Sequence, residues 1–412
     1  MPKALPFVLA ALAAAPSLLA RAADLHFAPP LEALISGAAI LAAAFLLLWA
    51  CDAAQADISQ TLALAVVSLI AVLPEYAVDM YFTWRAGQDP AGGYAQYAIA
   101  NMTGANRLII GLGWAAVVFI AWIRFRRPVW LEPERRTEVA FLGLATLYAF
   151  LIPLKGSLAW YDGLVFLAIY AWYIAIAGRR PCVECELHGP AALLGALPRR
   201  RRRAAVLGLL VLAAGVILAN AEVFSEALVA SGQVLGIDQF LLVQWLAPIA
   251  SEAPEFTIAV MFALRGQAGL ALGSLLAAKL NQWTLLVGMI PGVYGLSSGG
   301  FAAPIPMGGF QLNEILLTAA QSLLAVLLVA GLRLGLGGAL LLCGLFLGQF
   351  ILPAFLGAQA WRLEHDATLR LLASGYLALS GVLLVRRVRE MGHLWQGLRL
   401  VPDPVRSPAG RS

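Results

Sequence analysis

Charge is what this chain has least of. Asp, Glu, Lys and Arg together make up 12% of its 412 residues, apolar residues make up 61%, and mean hydropathy is +0.83. A soluble globular chain is typically about 25% charged and about 45–50% apolar, so this one has too little polar surface to stay in water. That excludes a cytosolic enzyme, a disordered hub and a secreted disulfide domain. Cysteine is scarce too: Cys51, Cys182, Cys185 and Cys343 are too few and too scattered for a disulfide framework. Nucleotide motifs are missing, with no G-x-x-x-x-G-K-[ST] and no G-x-G-x-x-G after a strand, which argues against an ATP-driven pump and against a nucleotide partner. H-E-x-x-H and G-x-S-x-G are missing as well, so no enzyme and no cofactor is expected. Basic stretches interleaved with aromatics, the mark of single-strand binding, are absent, and nucleic acid is not an expected partner.

What the chain has is apolar runs long enough to cross a bilayer, about 20 residues each. They cover 32–51, 58–84, 93–122, 138–154, 158–178, 204–224, 238–264, 268–291, 312–331, 334–356 and 368–386. No strand-like alternation of about ten residues recurs, so the expected class is an all-α polytopic membrane protein and not a barrel. Residues 1–23 combine a basic start, an apolar run and an A-x-A pattern at Ala20-Arg21-Ala22. They read as a cleaved secretory signal or as an extra N-terminal span.

Loop charge tests the topology independently. The net charge of +5 rests on 25 arginines and only three lysines. Arg124, Arg126, Arg127, Arg135 and Arg136 fall in one connection, Arg179, Arg180 and Arg199 to Arg203 in another, and Arg386, Arg387 and Arg389 after the last span. With eleven spans and a first helix starting outside, all three fall on the cytoplasmic side, as the positive-inside rule requires. The expected location is therefore the cell (inner) membrane, multi-pass, with the C-terminus cytoplasmic and the N-terminus outside after signal removal. Partners on this reading are the lipid bilayer and small ions.

An internal repeat organises the spans. Ile58-Ser59-Gln60-Thr61-Leu62 resembles Ile237-Asp238-Gln239-Phe240-Leu241, and both spans then reach Pro-Glu, at Leu73-Pro74-Glu75 and Ala253-Pro254-Glu255. Ten residues beyond each Glu comes an Arg, Arg85 and Arg265. The copies lie five spans apart, and an odd offset makes them cross in opposite directions. Inverted repeats of this kind belong to secondary transporters, with the binding site between the repeats near the midplane.

Proline inside a span removes a backbone donor and frees a carbonyl one turn back, which lipid tolerates only where the helix lines a cavity or binds an ion. A Glu directly after such a Pro is costly unless it meets a cation, a proton or a basic side chain. Glu75 and Glu255 fit that description at matching positions. The helix after each Pro-Glu span is rich in small and amide residues. Small residues are accounted for by close helix packing, whereas Asn101, Asn106, Asn281 and Gln282 offer oxygens of the kind hard cations prefer.

On these motifs the sequence resembles the sodium/calcium exchanger superfamily of cation antiporters, as a divergent member. The resemblance covers about residues 32–356 and implies two inverted five-helix repeats, 32–178 and 204–356, forming a 10-helix core. Residues 179–203 then form a cytoplasmic basic loop, 357–386 an additional C-terminal transmembrane helix and 387–412 a cytoplasmic tail. It implies a transported cation (Na+, Ca2+ or H+) at Glu75 and Glu255, with Ser251, Asn101, Asn106, Glu252 and Gln282 as further candidates. This chain departs from the family pattern in places. Ala71 and Val72 stand where hydroxyls precede the first Pro-Glu, Glu252 replaces a neighbour of Ser251, and Lys279 stands where Asn is usual.

Lys279 is expected to face Glu75, Glu255 or Glu252 as an ion pair, because snorkelling to an interface looks difficult from mid-span. Two mechanisms follow. Either Na+ and Ca2+ alternate at the glutamates, or a cation exchanges against H+ with Lys279 and the glutamates as proton carriers. Asp79, one turn after Glu75, is a candidate outer ligand or proton relay. A transport-inactive scaffold that keeps the fold is the alternative from another class. Cys182, Cys185 and His188 give C-x-x-C closely followed by His, three local ligands where a structural zinc site wants four, so an unliganded thiol pair is the competing reading. The run Arg199 to Arg203 is expected to pin its helix to the anionic leaflet.

Overall fold

The computed structural model describes residues 5–57, 72–179, 187, 189–301, 303–355 and 361–398. Cys182, Cys185 and His188 lie outside the described residues. Helix dominates: α1 (Leu5–Ala22), α2 (Pro29–Ala54), α3 (Leu73–Gln88), α4 (Tyr94–Phe125), α5 (Pro133–Lys155), α6 (Trp160–Ala177), α7 (Arg199–Leu235), α8 (Gln239–Leu264), α9 (Ala268–Ser297), α10 (Gly309–Val329), α11 (Leu336–Phe355), α12 (Trp361–Arg386) and the short α13 (Val388–Leu394). Ten of these are long and apolar enough to cross a membrane among the described residues. The eleven apolar stretches correspond to α2 through α12, the first part of the second stretch lying outside the described residues. The 204–224 stretch is far longer than its apolar core, because α7 runs for 37 residues. The segment expected as a signal or extra span, α1, is helical and packs on α2 and α7, where Ser17 bonds to Asn220 and Arg21 to the Ala219 carbonyl.

Proline acts differently in the two halves. In the first, α3 begins at Leu73-Pro74, where a missing N–H costs nothing, so Glu75 sits in the first turn of α3. A carboxylate there meets the positive end of the helix dipole. In the second, α8 runs unbroken through both Pro248 and Pro254. Among the described residues the second Pro-Glu thus lies inside a continuous helix and the first at a helix start. Pro248 leaves the carbonyl of Gln244 without its helical donor, and that carbonyl lies against Gly104 of α4, where a Cβ would come within 1.9 Å. Glycine is required there because the α4–α8 crossing is backbone on backbone.

The buried apolar residues of α3 to α6 and α8 to α12 merge into one large core. A second core joins α1, α2 and α7 through small residues such as Ala39, Ala43, Ala213 and Ala221. At the arginine-rich end, strand β1 (Val129–Trp130) pairs antiparallel with β2 (Arg333–Leu334), tying the α4–α5 loop to the α10–α11 loop. Gly397 lies against the Arg136 carbonyl and Glu390 against Gly331 on the same end. A bridge between Leu158 and Ile305 joins loops at the opposite end.

The basic run at the start of α7 has a protein partner in addition to any lipid. Arg202 donates to both carboxylate oxygens of Asp57 at 2.7 and 2.9 Å, with Arg199 at 3.3 Å and Arg203 at 3.5 Å. The Arg202 hydrogen bond leads in holding the Asp57 carboxyl down at about 2, below an ordinary value of about 3.9. A group with a depressed folded-state value contributes stability above its unfolded value and loses it as pH falls through the folded one. The melting-temperature gap between wild type and D57N is therefore expected in full above about pH 4 and to close as the pH falls towards 2.

Candidate cation site

Four helices bring polar groups into the apolar centre: α3 carries Glu75 and Asp79, α4 carries Asn101 and Asn106, α8 carries Ser251, Glu252 and Glu255, and α9 carries Lys279 and Gln282. All are buried except Glu255, which is half-buried. Gln282 is the hinge of the arrangement. Its amide nitrogen donates to Glu75 Oε1 at 2.8 Å and to Glu252 Oε1 at 2.9 Å, so one amide holds carboxyls from both repeats. Glu255, one turn further along α8, lies within electrostatic reach of Glu75. The bridge thus falls to Glu252 rather than to the Pro-Glu residue of the second repeat.

The remaining expected residues divide. Asn101 donates to Asp79 Oδ1 at 3.2 Å. Ser251 turns its hydroxyl to the carbonyls of Ala247 and Pro248 on its own helix, both at 3.3 Å. Asn106 accepts from Lys279 at 2.6 Å. Among the described residues the expected Lys279 ion pair is not formed. Its ammonium bonds to that amide oxygen and stacks 4.3 Å from the Trp283 ring centroid, while Glu252 acts on it only through space. The Asn106 amide nitrogen donates to the Met102 carbonyl at 2.8 Å, which leaves its oxygen to accept.

Buried polar atoms almost always find a partner. Here Glu252 Oε2, Glu255 Oε2, Gln282 Oε1 and Asp79 Oδ2 have none among the described residues. Leaving ionised oxygens unpaired in an apolar interior is expensive, and a cation or proton removes that cost. No three His, Cys, Asp or Glu side chains group as a metal site by themselves among the described residues. A cation here would draw on mixed carboxylate, amide and water oxygens, as a hard ion accepts. A π-helical stretch lies at the site in each repeat, Ile109–Trp114 just after Asn106 in α4 and Gln282–Leu286, starting at Gln282 itself, in α9, a distortion frequent at functional positions.

Sequence reasoning missed a second polar cluster beside the first. Arg107 is ion-paired with Glu314, both fully buried. Arg107 also donates to Gln349 Oε1 at 2.9 Å, and Gln244 donates to Glu314 Oε2 at 2.8 Å. Gln321 donates to the Arg107 carbonyl at 3.2 Å, and the guanidinium stacks 5.2 Å from the Trp245 ring centroid. Two isolated charges of opposite sign within spans were the available signal.

The model of the sodium/calcium exchanger protein family matches residues 31–178 and 205–355, one match per repeat. The chain belongs to this family. It is a gradient-driven cation antiporter with two inverted repeats. The crystal structure of the H+/Ca2+ exchanger CAX is similar over nearly its whole length, with 38% identity, TM-score 0.91, and 97% of this chain and 98% of that chain covered. The sodium-calcium exchanger NCX_Mj shares the fold at 18% identity and TM-score 0.52, covering 78% of this chain and 98% of that one. Native YfkE shares it at 14% identity and TM-score 0.60, covering 90% and 99%. No curated protein matches the chain.

Proposed function

We propose that this antiporter exchanges Ca2+ against H+ at Glu75, Glu252 and Glu255, with its arginine-rich face in the cytoplasm. The observation that carries the reading is the set of unpartnered oxygens on Glu252, Glu255 and Gln282, next to carboxyls from both repeats held on one amide. The Glu75 and Glu252 carboxylates, held on one amide in an apolar interior, are neutralised equally well by one divalent cation or by two protons. A site of that composition alternates between the two loads without ever exposing bare charge to lipid. The likeness to an exchanger named for H+ and Ca2+, at 38% identity across 97% of the chain, favours this ion pair over Na+ and Ca2+. So does the absence of hydroxyls just before Glu75, where Ala71 and Val72 stand.

In this mechanism Gln282 acts as the sensor of load. Its amide nitrogen bonds the carboxyls when no metal bridges them, and its free oxygen is available as a ligand when one does. The repeats then move against each other to give alternating access. The test is purified protein in sealed proteoliposomes, with Ca2+ uptake driven by a pH gradient or by a Na+ gradient. Uptake driven by the pH gradient and collapsed by a protonophore is the expected result. Uptake that follows only the Na+ gradient would overturn the proposed ion pair.

A further inference from the structure

Lys279 is fully buried well inside α9, so its stem has not carried the ammonium out to an interface. Its surroundings are those of a bound monovalent cation: an amide oxygen at 2.6 Å and the face of an indole at 4.3 Å, both attractive to positive charge. Asn106 is held in the accepting orientation by its own bond to the Met102 carbonyl. The charged groups that act on the ammonium are Glu252, which attracts it, and Arg107, which repels it. Arg107 is itself neutralised by Glu314, so the outstanding partner of Lys279 is Glu252.

We infer that Lys279 is a tethered counter-cation: as an ammonium on the Asn106 oxygen and the Trp283 ring it fills a monovalent-cation place beside the glutamates and thereby excludes Na+ as the coupling ion. The inference rests on the Ca2+/H+ reading and adds the residue that sets its selectivity. Three features support it. Lys279 and Gln282 lie three residues apart on one face of α9, so the fixed charge and the carboxyl-bridging amide project together. The ammonium is held off Glu252 by Asn106, which keeps Glu252 Oε2 unpartnered and open to a divalent ion. A direct ion pair would have closed that oxygen. Finally, the Asn106 oxygen is already taken by the ammonium and so is closed to a free Na+, and a covalently attached group is never diluted away.

The experiment compares wild type, K279Q and K279R in proteoliposomes, measuring pH-gradient-driven Ca2+ uptake with and without Na+, alongside thermal stability in each salt. Wild type and K279R are expected to ignore Na+. In K279Q, Na+ is expected to compete, lowering apparent Ca2+ affinity by about tenfold, within the usual span of coupling between ligands, and to stabilise the protein against heat. A folded K279Q as indifferent to Na+ as wild type overturns the inference. Should K279Q not fold, wild type decides: stabilisation of wild type by Na+ or K+ overturns the inference, and stabilisation by Ca2+ alone supports it. Wild type that takes up no Ca2+ on a pH gradient strikes the Ca2+/H+ reading instead.

Discussion

Glu252→Gln and Glu75→Gln are each expected to reduce Ca2+ exchange to background while leaving the protein folded. Glutamine keeps the length of the side chain and can still meet the Gln282 amide nitrogen, now 2.8 or 2.9 Å from each carboxyl. What is removed is one negative charge from a buried site whose ligand is a cation. Deleting one member of a buried charge pair costs about 3–5 kcal/mol, which is a loss of more than about a hundredfold in affinity. Glu255→Gln is expected to be milder, since Glu255 is only half-buried and the Gln282 amide donates to Glu75 and Glu252 instead. Ca2+-dependent thermal stabilisation and Ca2+ uptake, measured together on the three variants, check the order. An E255Q protein that is dead beside an active E252Q would show that the second Pro-Glu, not Glu252, carries the cation.

Arg107→Met is the second change expected to be severe, and its effect is on stability. Glu314 would keep the Gln244 bond but lose its counter-charge, and Gln349 would lose the donor to its Oε1. Stranding one charge of a buried pair costs about 3–5 kcal/mol, a large share of the stability of most proteins. Replacing both partners by apolar residues should be far gentler, because the desolvation of two ions disappears with them. A double-mutant cycle on Arg107→Met and Glu314→Leu, read by thermal melting in detergent, measures the difference. A double variant as unstable as the single one would mean that the amides around the pair, and not its charges, hold α4, α8, α10 and α11 together.

Much of this was legible in the order of residues, and the failures have physical causes. Glu75 was identifiable because a Pro-Glu in an apolar span has few structural uses. The same motif pointed to Glu255 in the second half, yet the bridge falls to Glu252. In the first repeat α3 begins at Leu73, so Glu75 lies in its first turn. In the second, α8 continues through Pro254, so the residue matching Glu75 in sequence need not match it in direction. Lys279 was recognised as a buried charge at the site, but its partner was taken to be a carboxylate when it is Asn106. Coulomb attraction ranked the candidates, and local hydrogen-bond geometry chose among them.

Composition and periodicity determined that this is a helical membrane protein. The spaced Pro-Glu and Arg matches determined that its halves are inverted copies, and arginine placement separated its two faces. These properties act along the chain, through hydropathy and the length of each run. Which buried polar group meets which was decided only by tertiary structure. Lys279 and Asn106 are 173 residues apart, Gln282 and Glu75 are 207 apart, and Arg107 and Gln349 are 242 apart. In an apolar interior each such group must take whatever partner the neighbouring helix presents, and that depends on crossing angle, depth and rotation, none of which is written in any single span.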